Sequence, residues 1–344
     1  MQDWIDAVAE GRTLSTDESE EAFHTIMRGD ASPVEVAAFL SAMKTRGETP
    51  EEVAGGVHAL RRVMVEVPLP ADGLVDTCGT GGGELTTFNI STVAALVAAG
   101  GGVGVAKHGN RSFTSKCGSA DVLETLGVEI ELGPESLREL YDEVGFVFMF
   151  APRFHPAMGQ VAPVRRELGI STIMNLLGPL TSPARVHRQV VGVSEPELIP
   201  LIAGALDELG HERALVVHGE PGLDELSPLG PTRGVKLEDG ATSPVEVLPS
   251  DLGWEGFQSE ELAGGEPEEN ASIAREILEG RRVGAARAAV ELNAAAAFYV
   301  AGRVDGLEEG LELARASIEE GAARATLERL REESVRLADR EAGG

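Results

Sequence analysis

Cysteine, lysine and aromatic residues are all scarce in this sequence of 344 residues. The two cysteines, Cys78 and Cys117, are too few for a disulfide framework or a tetrahedral cysteine metal site. No apolar run approaches the roughly 20 residues needed to cross a bilayer, and the amino terminus lacks the basic-then-apolar order of a signal peptide. These absences predict a cytoplasmic protein.

Positive charge is also scarce, because 29 basic residues stand against 57 acidic ones and leave a formal net charge of -28. This balance repels nucleic-acid backbones and anionic membrane surfaces, so we expect neither as a partner. A solvated surface explains the excess of acids, and adaptation to high salt or heat is the alternative. Only four of the basic residues are lysines, yet Lys107 and Lys116 lie within ten residues of each other. That stretch calls for a chemical explanation.

The first seventy residues carry the signals of short helices. Ser15, Ser32 and Thr49 each precede a glutamate by three residues, which is the capping-box pattern of a helix start. Gly29 and Gly47 supply stop signals. Apolar residues then recur at helical spacing, as at Val34, Ala37, Ala38 and Met43. Residues 1–70 are therefore predicted to form a small all-helical domain.

From Leu74 onward, short apolar runs end in glycine loops and alternate with helical stretches, which is typical of a mostly parallel sheet. The predicted strands are Leu74–Thr77, Val103–Ala106, Phe146–Phe150, Gln189–Val193 and Ala214–Val217. The predicted helices are Ser91–Ala99, Ser119–Leu126, Pro134–Val144, Pro163–Leu177, Pro196–Leu209, Pro267–Glu279 and Ala285–Ala301. The stretch from Pro221 to Gly265 is rich in turn signals.

The predicted fold class is α/β, with the small helical domain followed by a larger α/β domain over residues 71–344. A central, mostly parallel sheet flanked by helices should form this larger domain. We expect the helical segment near 163–180 to join the small domain.

A glycine-rich loop directly after the first predicted strand is the first candidate site segment. It contains Gly79, Thr80, Gly81, Gly82 and Gly83. Glycine permits positive φ and lets backbone N–H groups approach phosphate oxygens, although the spacing matches neither a Walker loop nor the Rossmann pattern. The next segment, residues 87–92, places an amide and hydroxyls at a predicted helix start, where anions bind. An ordinary helix cap is the alternative for that segment.

Three further segments carry charge. Lys107 to Arg111 follow a predicted strand end, which is where open α/β sheets bind ligands, and the lysines, arginine and hydroxyls there favour a polyphosphate. Asp224 and Glu225 are adjacent carboxylates in a turn, compatible with Mg²⁺, which needs only one or two protein carboxylates. One arginine of the pair Arg165-Arg166 could hold a carboxylate in a bidentate pair. Solvent-exposed surface is the alternative for each.

Taken in order, these segments resemble anthranilate phosphoribosyltransferases over nearly the whole chain. The matching stretches are Gly79–Gly82, Thr87–Thr92, Lys107–Arg111, Gly118–Leu123, Phe154–Met158, Asn175–Leu180 and Asp224–Ser227. The resemblance implies a homodimer through the helical domain, with phosphoribosyl pyrophosphate (PRPP) and anthranilate meeting at the hinge between the two domains. It implies transfer of the phosphoribosyl group to the amine of anthranilate, with Mg²⁺ as cofactor, in tryptophan biosynthesis.

The resemblance also implies a role for individual residues. Those expected to bind PRPP are Gly79, Thr80, Gly81, Gly82, Thr87, Asn89, Ser91, Thr92, Lys107 and Ser119. Those expected to line the anthranilate path are Gly79, His108, Asn110, His155, Arg165 and Pro179. Ser91, Asp224 and Glu225 are expected to serve Mg²⁺.

The sequence departs from the family pattern at three places. The family's aspartate after the glycine loop is Gly83 here, its paired serines read Thr114 and Ser115, and a frequent arginine after Arg165 is Ser171. The first departure bears on metal handling. Two other functions share the architecture: a pyrimidine nucleoside phosphorylase, and a non-catalytic paralogue acting as a binding protein. The Lys107 to Arg111 segment and the acidic pair favour the transferase over both.

Overall fold

The computed structural model describes residues 1–70, 73–112 and 116–343. The predicted domain boundary after residue 70 falls at the first gap in these ranges, and Thr114 and Ser115 lie outside them. Within the described residues, no helix is both long and apolar enough to span a membrane.

Four helices form the amino-terminal bundle. They are α1 (Gln2–Ala9), α2 (Thr16–Met27), α3 (Pro33–Arg46) and α4 (Pro50–Arg61). The predicted capping boxes are confirmed, because the side chains of Ser15, Ser32 and Thr49 each accept from the backbone N–H of the glutamate three residues on. Gly47 then ends α3 with φ of 92°, a conformation that favours glycine.

A seven-stranded sheet forms the centre of the larger domain, in the order β3-β2-β1-β4-β5-β6-β7. The strands are β1 (Leu74–Gly79), β2 (Gly104–Gly109), β3 (Phe146–Phe150), β4 (Arg188–Gly192), β5 (Arg213–Gly219), β6 (Thr232–Glu238) and β7 (Ala241–Val247). The five predicted strands are all present and pair in parallel; Val75, for example, faces Val105 in β2 and Arg188 in β4. The carboxyl ends of β1, β2 and β4 therefore lie side by side.

The interpretation of Pro221 to Gly265 as turns alone was wrong, because β6 and β7 form an antiparallel hairpin there. The hairpin occupies the edge of the sheet, where Pro244 is tolerated and the side chains are largely solvated, so no apolar alternation marks it. Its turn is Asp239-Gly240, both with positive φ. That dipeptide is a hairpin signal that the sequence did contain.

The remaining helices flank the sheet. They are α5 (Ile90–Gly100), α6 (Ser119–Thr125), α7 (Pro134–Val144), α8 (Ala151–Phe154), α9 (Ala162–Leu168), α10 (Ile173–Leu180), α11 (Leu198–Glu208), α12 (Pro267–Leu278), α13 (Ala285–Val300), α14 (Leu307–Glu319) and α15 (Ala322–Gly343). Short 3₁₀ turns cover Pro156–Gln160, Pro249–Leu252 and Ser259–Leu262.

The segment predicted as one helix over Pro163–Leu177 is two helices, α9 and α10. Gly169 ends α9 with φ of 63°, a left-handed stop. Helix α10 continues through Gly178 and Pro179 to Leu180, so these residues do not mark its end as predicted. Pro179 lies in the last turn of α10, and beside it Thr181 Oγ1 donates to the carbonyl of Leu177 at 2.7 Å.

Two apolar cores lie on the two faces of the sheet. One core packs the alanine-rich α13 with α5, α14 and α15; every residue of α13 except Arg287 is buried, which favours close packing within the chain. The other core combines the amino-terminal bundle, α10 and α11 with Val191, Val216 and Leu237 from the sheet. The helical bundle thus packs on α10 and α11, and α11 in turn packs on β5 and β6 of the sheet.

Candidate active site

A cavity opens where the carboxyl ends of β1 and β4 meet the start of α5 and the acidic turn. Its lining consists of Thr77, Cys78, Ser91, Val190, Gly192, Asp224, Glu225 and Asn293. Segments far apart in sequence, the glycine loop, the start of α5 and the acidic turn, are brought together by the parallel strand order.

The glycine loop folds against the acidic turn. Gly81 and Gly82 have φ of 71° and 84°, and the Gly81 N–H donates to Asp224 Oδ2 at 2.8 Å. A Cβ at Gly79 would lie 2.3 Å from the same carboxylate oxygen, so this contact requires glycine. Thr80 Oγ1 accepts from the Ser194 N–H at 3.1 Å and ties the loop to the residue after β4.

Lys107 is a buried cation at the end of β2, with only 2% of its surface exposed. Its ammonium donates to the Thr77 carbonyl and, at 3.3 Å, to Ser91 Oγ. Burial lowers the pKa of Lys107, while the nearby Asp76 carboxylate acts in the opposite direction. The ammonium therefore joins the strand end to the helix start at the edge of the cavity.

The two adjacent carboxylates belong to half-buried residues and bond to the glycine loop and the start of α5. Glu225 Oε1 accepts from the Ser91 N–H at 2.9 Å, whereas Glu225 Oε2 is buried with no hydrogen-bond partner among the described residues. Burial raises the pKa of Asp224, and burial together with repulsion from Asp224 raises that of Glu225 well above its usual value. Two adjacent carboxylates, one of which has a buried oxygen without a partner among the described residues, fit a divalent cation. The described residues hold no cluster of three or more histidine, cysteine or carboxylate ligands, which is compatible with Mg²⁺ that keeps several waters.

The other residues predicted to bind PRPP, most of them near the start of α5, differ in the hydrogen bonds that they form. Asn89 makes no cap bond with its side chain; its amide donates to the Cys117 carbonyl at 3.1 Å and accepts from Asn270 at 3.0 Å. Thr92 Oγ1 is buried and lacks a partner among the described residues. Ser119 Oγ donates to the Asn110 carbonyl at 3.2 Å, and Thr87 forms a bridge with Ala263.

Two of the residues expected to line the anthranilate path, His108 and His155, lie next to each other. The rings of His108 and His155 are both buried, with centroids 5.0 Å apart. Burial lowers the pKa of His155 to about 4 and that of His108 well below its usual value, so both imidazoles are neutral at pH 7. The carbonyl of Pro179 accepts from Gln189 Nε2 at 3.0 Å.

Arg165 lies on α9, and burial lowers its pKa. It forms no ion pair within the part of the chain that the structure describes. A guanidinium on a half-buried residue without a carboxylate partner can pair with the carboxylate of a ligand. No hydrogen bond joins it to the histidine pair, so the structure does not assemble all of the predicted anthranilate residues into one contact set.

Two buried polar residues near the site were missed by sequence reasoning. Asp76, inside β1, accepts from the His108 N–H at 3.2 Å, and burial raises its pKa to about 6. Asn293, inside α13, lines the cavity. Asp76 could have been found from sequence, because an acid within the apolar run of β1 is unusual. No comparable sequence signal marks Asn293 in α13.

Comparison with known proteins identifies the family to which this chain belongs. Residues 2–64 match a family model described as the helical bundle domain of a glycosyl transferase family, and residues 71–324 match the a/b domain of that family. An anthranilate phosphoribosyltransferase of Rubrobacter xylanophilus is 49% identical over 340 residues, covering 99% of each chain. The chain belongs to the anthranilate phosphoribosyltransferase family.

Solved structures of anthranilate phosphoribosyltransferases have the same fold. The crystal structure from Thermus thermophilus superimposes with a TM-score of 0.91 at 45% identity, covering 96% of this chain and 99% of that one. The Saccharomyces cerevisiae enzyme, in complex with PRPP and Mg, gives a TM-score of 0.86 at 31% identity and 94% coverage of both chains. The predicted fold class is confirmed.

Gly83 is the departure from the family pattern that lies within this site. A Cβ there would be 2.8 Å from the Gly222 carbonyl and 3.4 Å from Asp224 Oδ1. An aspartate at this position therefore brings a third carboxylate beside the acidic pair. Glu84, its neighbour, is exposed and packs against Gly222 instead.

We expect Gly83→Asp to change the Mg²⁺ concentration dependence of activity and the KM for PRPP more than the KM for anthranilate, because the added carboxylate competes for the same cation. Mg²⁺ titrations of activity measure this effect. Gly83→Ala is the matched control for the steric contact with Gly222, and Glu84→Ala should leave the profile unchanged. Superimposable profiles for Gly83→Asp and wild type would exclude a metal role for this position.

Proposed function

We propose that the protein transfers the phosphoribosyl group of PRPP to the amine of anthranilate, giving N-(5-phosphoribosyl)anthranilate and pyrophosphate, as a step of tryptophan biosynthesis. The observation that carries the proposal is the buried ammonium of Lys107, which bonds to Thr77 and Ser91 in the lining of a cavity that also contains the acid pair. A polyphosphate substrate with a divalent cation satisfies both charges at once. The membership of the chain in this family supports the same reaction.

Departure of pyrophosphate breaks the bond from its oxygen to the anomeric carbon and leaves positive charge on the ribose. Lys107 would neutralise the leaving group, and backbone N–H groups of the glycine loop would bind its oxygens. The Gly81 N–H must then exchange its bond to Asp224 for a phosphate oxygen. Residues Gly79 to Gly82, Thr87, Asn89, Thr92 and Ser119 complete the proposed PRPP site.

Ser91, Asp224 and Glu225 would hold Mg²⁺, which neutralises charge on the pyrophosphate as it leaves. The carboxylates gain from such a cation, because each is otherwise buried beside a like charge. Ser91 contributes doubly: its N–H fixes Glu225, and its hydroxyl contacts Lys107.

The anthranilate amine is neutral and attacks the anomeric carbon without activation by a strong base, and the new C–N bond releases one amine proton. Arg165 would orient the substrate by pairing with its carboxylate. The neutral rings of His108 and His155, with Asn110, Gly79 and Pro179, would line the aromatic path. Closure of the helical domain toward the sheet would exclude water that otherwise hydrolyses PRPP.

A homodimer through the helical domain is part of the proposal. Val34 opens α3 with 78% of its surface exposed, and Ala38, one turn further along, is also exposed. Both positions belong to the apolar pattern of α3 yet face away from the core of the chain. A cytoplasmic location also belongs to the proposal, since only two cysteines occur, as in chains that mature in a reducing compartment.

The loss of anthranilate fluorescence tests the function directly. The purified protein should consume anthranilate only when PRPP and Mg²⁺ are both present. Turnover of thymidine or uridine with phosphate, and none with anthranilate, would instead establish a pyrimidine nucleoside phosphorylase. Binding of PRPP without any turnover would establish the non-catalytic paralogue.

Arg165→Ala should raise the KM for anthranilate by roughly 10 to 200-fold, because it removes a charge-assisted pair worth about 1.5 to 3 kcal/mol. The KM for PRPP should change little. Steady-state kinetics with each substrate varied in turn measures both constants. The adjacent Arg166 is exposed, so Arg166→Ala is the matched control and should behave as wild type. Equal effects of Arg165→Ala on the two substrates would show that the assignment is wrong.

A further inference from the structure

Helix α13 carries one amide side chain in an otherwise alanine-rich, buried stretch. Asn293 is 4% exposed and is followed by Ala294, Ala295, Ala296 and Ala297, all fully buried. Burying an amide in such surroundings is unfavourable unless its polar atoms are hydrogen-bonded. The side chain must therefore find partners, and they lie on the acidic turn.

Asn293 bonds to both backbone groups of Leu226, the residue directly after Glu225. Its Oδ1 accepts from the Leu226 N–H at 3.1 Å, and its Nδ2 donates to the Leu226 carbonyl at 2.9 Å. The second hydrogen of Nδ2 goes to the Ala289 carbonyl, one helical turn earlier, at 2.9 Å. Both amide hydrogens are thus committed to the protein, which leaves no donor for a ligand even though the residue lines the cavity.

The acidic turn is held from its other sides as well. The Gly81 and Ser91 N–H groups fix one oxygen of each carboxylate. A Cβ at Gly192 would lie 1.6 Å from the Asp224 carbonyl oxygen, so β4 presses directly against the turn. Two adjacent carboxylates on half-buried residues repel each other, and a turn free to move would relieve that repulsion by carrying them apart into water.

We propose that Asn293 is a positioning residue that clamps the Asp224-Glu225 turn to α13 and so keeps both carboxylates converging on one divalent cation. The identity of that cation as the Mg²⁺ of the reaction rests on the proposed function. The clamp itself acts through Leu226 and does not touch substrate.

The test uses Asn293→Ala and Asn293→Leu in the full-length protein; leucine has the same number and branching of side-chain heavy atoms as asparagine and limits cavity formation. Hydrogen exchange of the Leu226 amide reports the clamp directly and should become faster in both variants. Binding of Mn²⁺ in the presence of pyrophosphate, followed by electron paramagnetic resonance, should weaken by about 10-fold, the effect of losing one to two net hydrogen bonds. The Mg²⁺ concentration for half-maximal activity should rise in parallel, with the KM for anthranilate nearly unchanged.

Ser317→Ala is the matched control, because Ser317 is equally buried and its Oγ donates to the Val97 carbonyl at 2.8 Å, between α14 and α5. It should leave Mn²⁺ binding unchanged. The clamp is refuted if hydrogen exchange of the Leu226 amide is as slow in both Asn293 variants as in wild type. It is also refuted if both variants bind Mn²⁺ as tightly as wild type does. The same holds if wild type binds no Mn²⁺. If wild type binds Mn²⁺, the variants bind it weakly and no anthranilate is consumed, the clamp stands and the proposed function fails.

Discussion

Lys107→Met is expected to lower kcat/KM for PRPP by about 10³-fold, the scale of losing a preorganised donor to developing negative charge in a site shielded from water. Lys107 is the buried cation that contacts both the Thr77 carbonyl and Ser91 Oγ. No other lysine of the chain is buried. Methionine matches the length and apolar stem of lysine, so the loss reports the charge. Steady-state kinetics over a range of PRPP concentrations measures it.

The control for this substitution is Lys116→Met, because Lys116 is exposed and only pairs with Glu266 at 3.5 Å. It should alter kcat/KM less than twofold. Similar losses in the two variants would point to a general electrostatic effect of the cationic segment and refute a specific role for Lys107.

Lys107→Met should also change how stability depends on pH, through Asp76. Burial raises the pKa of Asp76 to about 6, and Lys107 holds it below what burial alone would impose. Without the ammonium the folded-state pKa rises further. Because the folded protein then retains a proton that the unfolded chain has released, stability falls as pH rises from the ordinary aspartate pKa up to the raised value. The thermal midpoint of the variant should therefore drop more, relative to wild type, at pH 8 than at pH 5.

Glu225→Gln is expected to lower kcat by about 10²-fold and to raise the Mg²⁺ requirement, while raising the thermal midpoint of the protein without ligands. Glutamine still accepts from the Ser91 N–H, but its amide group replaces the carboxylate oxygen that has no partner. Removing one of two buried like charges relieves repulsion from Asp224. Stability and activity should thus move in opposite directions.

Mg²⁺ titrations of activity and thermal unfolding measure the two effects of Glu225→Gln. Glu220→Gln serves as the control, because Glu220 belongs to the same turn region but is exposed and only pairs with Arg233 at 3.4 Å. A Glu225→Gln enzyme that keeps wild-type Mg²⁺ dependence would remove Glu225 from the metal site.

Residues whose type is rare or whose neighbours are informative could be found from sequence. Lys107 is one of four lysines and follows an apolar strand, and Asp224 and Glu225 are adjacent. The glycine loop was recognisable because four glycines occur within the five positions 79–83, directly after a predicted strand. The capping boxes in the helical bundle are local patterns of four residues, so they predicted three helix starts correctly.

Features that depend on distant partners could not be found in this way. Asn293 and Leu226 are 67 positions apart, and no local sequence pattern near either residue predicts their contact. Gln189 links Pro179 to a buried histidine, His211, whose Nε2 lies 2.9 Å from Gln189 Oε1. The edge hairpin of β6 and β7 lacked apolar alternation because solvent covers much of it. In each case the decisive neighbour is supplied by the tertiary fold.

The shared core beneath the helical bundle limits how the chain can be recombined with its relatives. Gly56 in α4 meets Leu177 of α10, and Gly204 in α11 meets Pro50; a Cβ at either glycine would be 2.8 Å from its neighbour. A chimaera that takes residues 2–64 from a relative therefore inherits one half of an interlocking surface whose other half lies more than a hundred residues downstream. Such exchanges should succeed only when α10 and α11 are transferred together with the bundle. The segments that form one contact surface must therefore come from the same parent, even though they are not contiguous in sequence.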